Sequence, residues 1–462
     1  MDTRRFSLQH PWLPVPAAIF LLAVAVVSSC PLQAADGDPD PAFGSGGVIE
    51  IAWDDGGDNK DVAKGIAADH DGNLFAVGFG ASATGDKDWQ IARIDAAGGI
   101  LRQRKFFDRG GTDDDLAEAL VLDGNGGLVV AGIAADAGTN HLEICRFSTT
   151  TLAYDPAFGT AFGCEEVDYG AGQIVNVVAL ERAGDGGFIV GGTLNQSGDD
   201  NFFATRFTST GHVDPNFGFF GLRVIPWNIA GTGYDVLHAM AVDVNGEILL
   251  AGEAEGGTIY TISVLAKLTA AGHLDLGFGS GGKVVMPSSS AQPSRWVTAA
   301  APDLHAGTTF GIAEYLGDTV GGAVGYTHMV DGAGTVGPAG SFLWWDLAAQ
   351  NFPVRILFQS DGSPLVLGYH PSVAGAFFDA SRCASLEGCS SYDFKKSFSP
   401  SAAGWGDGIE VASAALSGGR PVLAGTIRRP VNNTNWLLVR LDNRLIFRDG
   451  FETGDDRAWP AY

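Results

Sequence analysis

The chain has 462 residues and sets 28 Lys and Arg against 53 Asp and Glu, a formal net charge of −25. A field of that sign repels phosphate backbones and anionic lipid heads, which argues against nucleic acid and membrane surfaces as partners and favours solubility and cations. Hydrophobic residues make up 45% of the chain, enough for a large core, and the 66 glycines, about twice the usual share, follow no Gly-x-y period, so collagen is excluded. They sit instead beside Asp and Asn between β-type runs, where tight turns need positive φ.

Met1 to Ala35 reads as an export signal: Arg4 and Arg5, an apolar run from Val15 to Val27, then small residues before Asp36. The run is far short of the roughly 20 residues that span a bilayer, so no transmembrane segment is expected. Val27-Ser28-Ser29-Cys30 resembles a lipoprotein box that would leave Cys30 acylated, whereas cleavage after Ala34 or Ala35 would release a soluble product. Either route puts the chain outside the cytoplasm, secreted or at the cell surface.

From Asp36 to Leu441 one unit recurs. A strand that follows an Asp/Asn-Gly turn and ends in glycine appears at Gly78, Gly132, Gly192, Gly252, Gly368 and Gly425. The step from 252 to 368 is double the others, which predicts a degenerate copy at His305–Gly311 and seven copies with a period of about 58 residues. A second series, aromatic-rich strands ending in a basic and an apolar residue, has Arg93, Arg146, Arg206, Lys267, Arg382 and Arg440 and skips the same copy. A third, Asp-Pro-x-Phe-Gly, carries Phe43, Phe158 and Phe217, with a variant at Phe278. The first copy reads as four strands, Val48–Trp53, Val62–Ala68, Leu74–Phe79 and Trp89–Ile94, the middle pair joined by a hairpin turn. No segment offers an amphipathic helix of three turns.

Four short antiparallel strands repeated seven times predict an all-β fold, a seven-bladed β-propeller spanning 36–441 as one closed ring and one domain. A parallel β-helix would have a shorter period and no two-residue hairpins.

The pattern Asp-Pro-x-Phe-Gly-x-Gly-Gly, an alternating strand, Asp-Gly before three apolar residues and Ala-Gly, then Phe-x-x-Ala-Arg-Phe, resembles the delta-60 repeat of bacterial exported proteins. The resemblance covers the whole mature chain, weakest in the second and fifth copies. It implies a propeller-type fold without an assigned reaction, so no catalytic residue is carried over. The tail, residues 442–462, contains Phe447-Arg448-Asp449-Gly450-Phe451-Glu452-Thr453-Gly454-Asp455, similar to a short C-terminal segment of exported bacterial proteins; sorting, surface attachment and capping of the last blade are its alternative roles.

Four cysteines remain after signal cleavage, and proximity favours disulfides Cys145–Cys164 and Cys383–Cys389. No nucleophile elbow, phosphate loop or zincin motif occurs, and no catalytic, cofactor or metal residue is assigned. Because they repeat, His212 and His273 are structural; His70 lies in a turn. The repeated cations are expected to pair with linker aspartates such as Asp155 and Asp214 as a blade-to-blade clasp, rather than to line a channel for an anion. The linker phenylalanines are expected between adjacent blades.

Asp54, Asp55 and Asp58, and Asp113 to Asp115, offer oxygen ligands of the kind calcium takes, although as turn residues they need no ion. Trp344 and Trp345 could stack on sugars or pack in the core. Glu165, Glu166 and Asp346 fall outside the repeat. Two functional readings follow: a monomeric exported module binding a protein or glycan surface partner through non-repetitive loops, or a polysaccharide hydrolase or lyase with its site at the channel mouth. Acidic, His or Tyr residues present in one or two copies and converging on one face would favour the enzyme.

Overall fold

Short alternating runs bounded by Asp-Gly turns can bury a face only against a neighbour, and the chain meets that need with seven four-stranded antiparallel sheets. In the computed structural model the described residues are 37–442 except 54–59, 83–84, 107–112, 137, 171, 230–232, 258–259, 287–293, 304–308, 318–322, 343–351, 360–361, 373–374, 384, 387–391 and 431–432. The export signal with Cys30, the Asp54–Asp58 turn, Trp344, Trp345, Asp346, Cys389 and the tail beyond Asp442 lie outside them. No helix among the described residues is long and apolar enough to cross a membrane.

The first strand is β1 (Val48–Ile51). Blade I holds β2 (Asp61–Ala68), β3 (Leu74–Ala81), β4 (Lys87–Ile94) and β5 (Ile100–Phe106). Blade II holds β6 (Leu116–Leu122), β7 (Gly127–Asp136), β8 (Thr139–Ser148) and β9 (Cys164–Val167). Blade III holds β10 (Gly172–Arg182), β11 (Phe188–Gln196), β12 (Asp199–Phe207) and β13 (Leu222–Ile225). Blade IV holds β14 (Asp235–Val242), β15 (Ile248–Gly257), β16 (Tyr260–Leu268) and β17 (Lys283–Val285). Blade V holds β18 (Ser294–Pro302), β19 (Phe310–Gly317), β20 (Ala323–Val330) and β21 (Gly340–Phe342). Blade VI holds β22 (Phe352–Phe358), β23 (Pro364–Ser372), β24 (Gly375–Cys383) and β25 (Tyr392–Phe398). Blade VII joins β26 (Asp407–Ser417), β27 (Arg420–Arg429) and β28 (Asn433–Arg440) to β1. The leading strand of each blade touches the leading strands of both neighbours, and β2 against β26 completes the ring.

This grouping corrects the strand set read from the first repeat. Val48–Ile51 does not share a sheet with the three strands after it; it pairs with the last blade, Val48 opposite Val439 and Ile51 opposite Trp436. The Asp-Pro-x-Phe-Gly linker is the cause. It turns the chain from the third strand to the outer edge of the same sheet, as Asp155–Gly159 does between β8 and β9, so blades are offset from the repeat by one strand.

The anchor glycines stand opposite the bulge of their own blade's leading strand, where a Cβ on Gly78, Gly132, Gly192, Gly252 or Gly425 would meet a backbone carbonyl oxygen at 2.0–2.2 Å, and four of them also receive a ring from the neighbouring blade. A Cβ on Gly78 would lie 2.9 Å from Trp436 Cζ2, one on Gly132 2.9 Å from Trp89 Cζ2, one on Gly252 2.9 Å from Phe202 Cζ and one on Gly425 2.7 Å from Phe378 Cζ. Each aromatic ring belongs to the preceding blade's third strand, so every such seam is a ring fitted against a missing side chain.

The degenerate fifth copy needs a correction too. In the other six blades the residue before the first strand's central bulge faces the anchor glycine; in blade V Val297 faces Glu314, not the expected Gly311. Across the seam the ring position holds Ser263, next to Val264, the residue that faces Gly252. A large apolar group against glycine has become a small polar group against glutamate. Glu314 is fully buried, accepts a hydrogen bond from the Ser263 hydroxyl, and lies 2.6 Å from Arg295 Nη2 and 3.5 Å from His328 Nε2. Burial alone would raise its pKa, but these partners hold it below the usual carboxylate value.

The linkers close the seams from the outside. Phe43, Phe158, Phe217 and Phe278 are buried. Phe158 packs with Phe188 and Phe207 of blade III, and Phe217 with Ile248 and Leu268 of blade IV. Phe278 meets Phe310 and Val330 of blade V, and Phe43 meets Leu74 and Ile94 of blade I. The following glycine repeats one bond across each seam: Gly44 N–H to Ala97 O at 2.7 Å, and Gly159, Gly218 and Gly279 to Thr210, Ala271 and Ala333 O at 2.8 Å each.

Four of the six repeated cations meet the aspartate of their own blade's linker, and four reach the next blade's turn. Arg146 Nε lies 2.8 Å from Asp155 and Arg440 Nε 2.8 Å from Asp40. Arg206 Nε is 3.4 Å from Asp214, and Lys267 Nζ is 2.6 Å from Glu247 and 3.2 Å from Asp275. Arg93, Arg146, Arg206 and Arg440 donate to backbone carbonyls of Thr150, Ser209, Ala270 and Ala96 in the following blade. Arg382 is buried in β24. Cys145 and Cys164 form a disulfide between facing residues of β8 and β9, and Cys383 is also disulfide-bonded.

Two expected outcomes test these seams by urea unfolding. Phe217→Ala lowers stability by about 3–5 kcal/mol, the cost of truncating a buried aromatic side chain. Glu314→Gln, which leaves Arg295 beside an uncharged partner, lowers it by about 3 kcal/mol.

Candidate functional site

Each blade's leading strand carries a bulge near its centre, and a bulge re-aims one side chain out of the ladder. The bulged residues are Lys64, Glu118, Val178, His238, Thr298, Val354 and Ala412. All seven line one cavity of about 160 Å3 on the ring axis. Here the repeat keeps its backbone and varies its chemistry.

The charged members of this channel face one another. Lys64 Nζ is 3.5 Å from Glu118, and Arg355 of blade VI lies 3.8 Å from Glu181 of blade III, across the ring. His238 Nε2 is 3.0 Å from Glu253. Burial raises the pKa of Glu118 against the opposing charge of Lys64, and that of Glu181 against Arg355. The channel therefore holds acid, base and cation, but largely as neutralised pairs.

The second unusual feature lies on the linker face, where each linker ends in a tight turn. The turn is the same in four blades: the amide of Ser45, Ala161, Phe219 or Ser280 bonds the carbonyl of Val48, Cys164, Leu222 or Lys283. The next residue is left-handed in all four. Gly46 (φ 64°) and Gly281 (φ 63°) hold it in blades VII and IV, but Phe162 (φ 52°) and Phe220 (φ 51°) hold it in blades II and III. A left-handed side chain costs roughly 1–2 kcal/mol, and burial returns nothing, because Phe162 is 87% and Phe220 75% exposed. Phe219 is exposed as well, its ring edge-on to Phe220 at 4.8 Å. A cleft of about 890 Å3 opens between blades II and III beside the blade II linker, lined among others by Asn125, Asp155, Arg182, Asp185, Ser209 and Thr210; the Thr210 carbonyl accepts the Gly159 N–H of that linker.

Of the residues singled out in the sequence, Arg146 and Asp155 line the cleft; the histidines, Glu165, Glu166 and the Asp113–Asp115 turn join neither feature. Glu165 meets His212 at 3.6 Å and Glu166 meets His141 at 3.8 Å, both away from the channel lining. His273 is exposed, and His70 stands beside Asp71 in its turn. Asp113 and Asp115 accept backbone N–H groups of Gly138 and Ala135, and Asp114 pairs with Lys87. Among the described residues one cluster has the spacing of metal ligands, Glu143 with Cys145 and Cys164, but its sulfurs are spent in the disulfide.

Sequence reasoning missed the bulged residues. Their signal is a position within the leading strand that is charged or polar in four copies and apolar in three, followed by Gly or Ala from Gly65 to Ala299. It missed Phe162 and Phe220 because apolar residues beside a repeat phenylalanine look like core.

No family model and no curated protein matches the chain. Solved structures do. A polysaccharide lyase, Uly1, aligns with a TM-score of 0.50 at 8% identity over 90% of this chain and 94% of its own. The β-propeller domain of the Trilobed protease from Pyrococcus furiosus aligns with 0.46 at 9% over 83% and 98%. A protein of unknown function from Dyadobacter fermentans aligns with 0.43 at 12% over 86% and 100%. At these identities the likeness is one of fold alone.

Asp235 opens β14 and accepts the Trp227 N–H at 2.6 Å, and burial raises its pKa to about 6. A raised carboxyl pKa penalises the charged folded state above that value, and the penalty fades as pH falls from about 6 toward the unfolded value near 4. Asp235→Asn is therefore expected to melt higher than the parent at pH 7.5, with the gap closing by pH 4, as differential scanning calorimetry would show.

Proposed function

We propose that the chain is an exported, non-enzymatic binding module that engages an envelope or extracellular partner through the linker face. Export rests on the charged and apolar pattern of Met1–Ala35 and accords with the delta-60 resemblance. The observation that carries the binding reading is the pair Phe162 and Phe220, large apolar groups held in water at a backbone position where the same turn elsewhere uses glycine. Strain without packing is retained at functional positions, and exposed apolar patches mark interaction sites.

The channel suits catalysis less well. Its cavity of about 160 Å3 falls below the roughly 300–1,000 Å3 of ligand sites, and its carboxylates face cations. The raised pKa of Glu118 and Glu181 is the one observation that favours the alternative, a polysaccharide hydrolase or lyase at the channel mouth.

Incubation of the purified chain with bacterial envelope fractions and polysaccharides separates the two readings. Binding without release of reducing or unsaturated ends is expected, unchanged in Glu118→Gln and Glu181→Gln. Product release that these substitutions abolish would establish the enzyme instead.

A further inference from the structure

We infer that the rim formed by Phe162, Phe219 and Phe220 is a binding site for a neutral glycan chain. The inference rests on the binding-module reading above and names the partner's chemistry.

Three properties of the rim converge on that class. The first is repetition. Phe162 and Phe220 hold the same turn position in successive blades, so they are related by one step of the ring, and a pair of like platforms matches a polymer of like units. Each platform alone would bind weakly, and engaging both on one chain multiplies the affinity. The second is the mixture of surfaces. Aromatic rings offer flat apolar faces of the kind that the C–H faces of pyranose rings cover, while the cleft between the same two blades presents Asn125, Asp185, Ser209 and Thr210 for hydroxyl groups. An extended apolar peptide would need a continuous apolar groove, whereas the exposed residues of these linkers and turns are mixed, Thr160, Thr210, His212 and Asn216 standing among Pro156, Ala157 and Pro215. The third is charge. The cleft lining sets Asp123, Asp155 and Asp185 against Arg146 and Arg182, and the chain as a whole stands at −25, so neither the local nor the overall field favours a polyanion and a neutral glycan fits best.

The backbone supplies a readout that a merely structural role would not reproduce. Phe162→Gly and Phe220→Gly restore the residue that blades VII and IV use, so they remove the rings and the left-handed strain together. A structural residue loses stability when truncated; these two should hold or gain it while binding falls.

The test is affinity electrophoresis of the full chain through gels containing mannan, β-glucan or xylan, with alginate and hyaluronan as anionic controls. Retardation by at least one neutral glycan is expected, with none by the anionic pair. Phe162→Gly/Phe220→Gly should weaken it at least tenfold with the melting temperature unchanged or raised, and Phe219→Ser should weaken it less. Retardation that survives the double substitution would overturn the placement of the site. Retardation by the anionic polymers, or by none of the glycans, would overturn the ligand class and leave the binding-module reading standing. Cleavage of a retained glycan would overturn both.

Discussion

The closest approach between blades is the constraint on which the rest of the molecule depends. At four seams an aromatic ring from one blade reaches a position in the next where a β-carbon would sit within 3 Å of it, so one side must be large and the other must have no side chain. That complementarity packs these four seams, and the carbonyl of the same blade's leading strand, 2.0–2.2 Å from where the Cβ would stand, makes the glycine recur at Gly192 as well, where the nearby ring, Phe203, is the blade's own. At four seams a linker phenylalanine seals the contact from the outer side, and at three of these the arginine before the linker ties its own aspartate to the next blade's turn. Buried, hydrogen-bonded contacts of this kind lose most when one partner is removed.

Chemistry enters where this demand is relaxed. On the axis, the bulge holds the backbone constant and frees one side chain per blade, giving Lys64, Glu118 and His238 in three blades and small or apolar groups in the others. At the seam between blades IV and V, Ser263 and Glu314 replace ring and glycine together, so the position keeps its volume while changing its polarity. At the linker face, the turn tolerates phenylalanine in place of glycine in two neighbouring blades at the expense of backbone strain. Of the three, the axial groups neutralise one another and the seam is sealed; the aromatic rim faces water unpaired with any buried surface.

Much of the fold was legible because packing writes itself into spacing. Gly78 to Gly425 and Arg93 to Arg440 recur for steric and ionic reasons local to each seam, so their period reports the blade count. The phase was not legible: nothing in Val48–Ile51 distinguishes the outer strand of the last blade from the first strand of its own, because pairing partners 385 to 391 residues apart leave no local signal. The fifth anchor was misread for a related reason. Glu314 bears no resemblance to glycine until Ser263 is known to lie across from it. The candidate sites were least legible, since a bulge has no fixed residue type and the exposure and positive φ that set Phe162 and Phe220 apart from core phenylalanines are not written in their residue type.

Hydrogen exchange on the chain saturated with a retained polysaccharide tests most directly whether function resides on the rim or on the axis. Protection concentrated in the turns at 160–163 and 218–222, with the leading strands of the seven blades unchanged, is the result expected. Protection of the segments around Lys64, Glu118, Glu181 and His238, with the two turns exchanging as in the free chain, would contradict it and move the site into the channel.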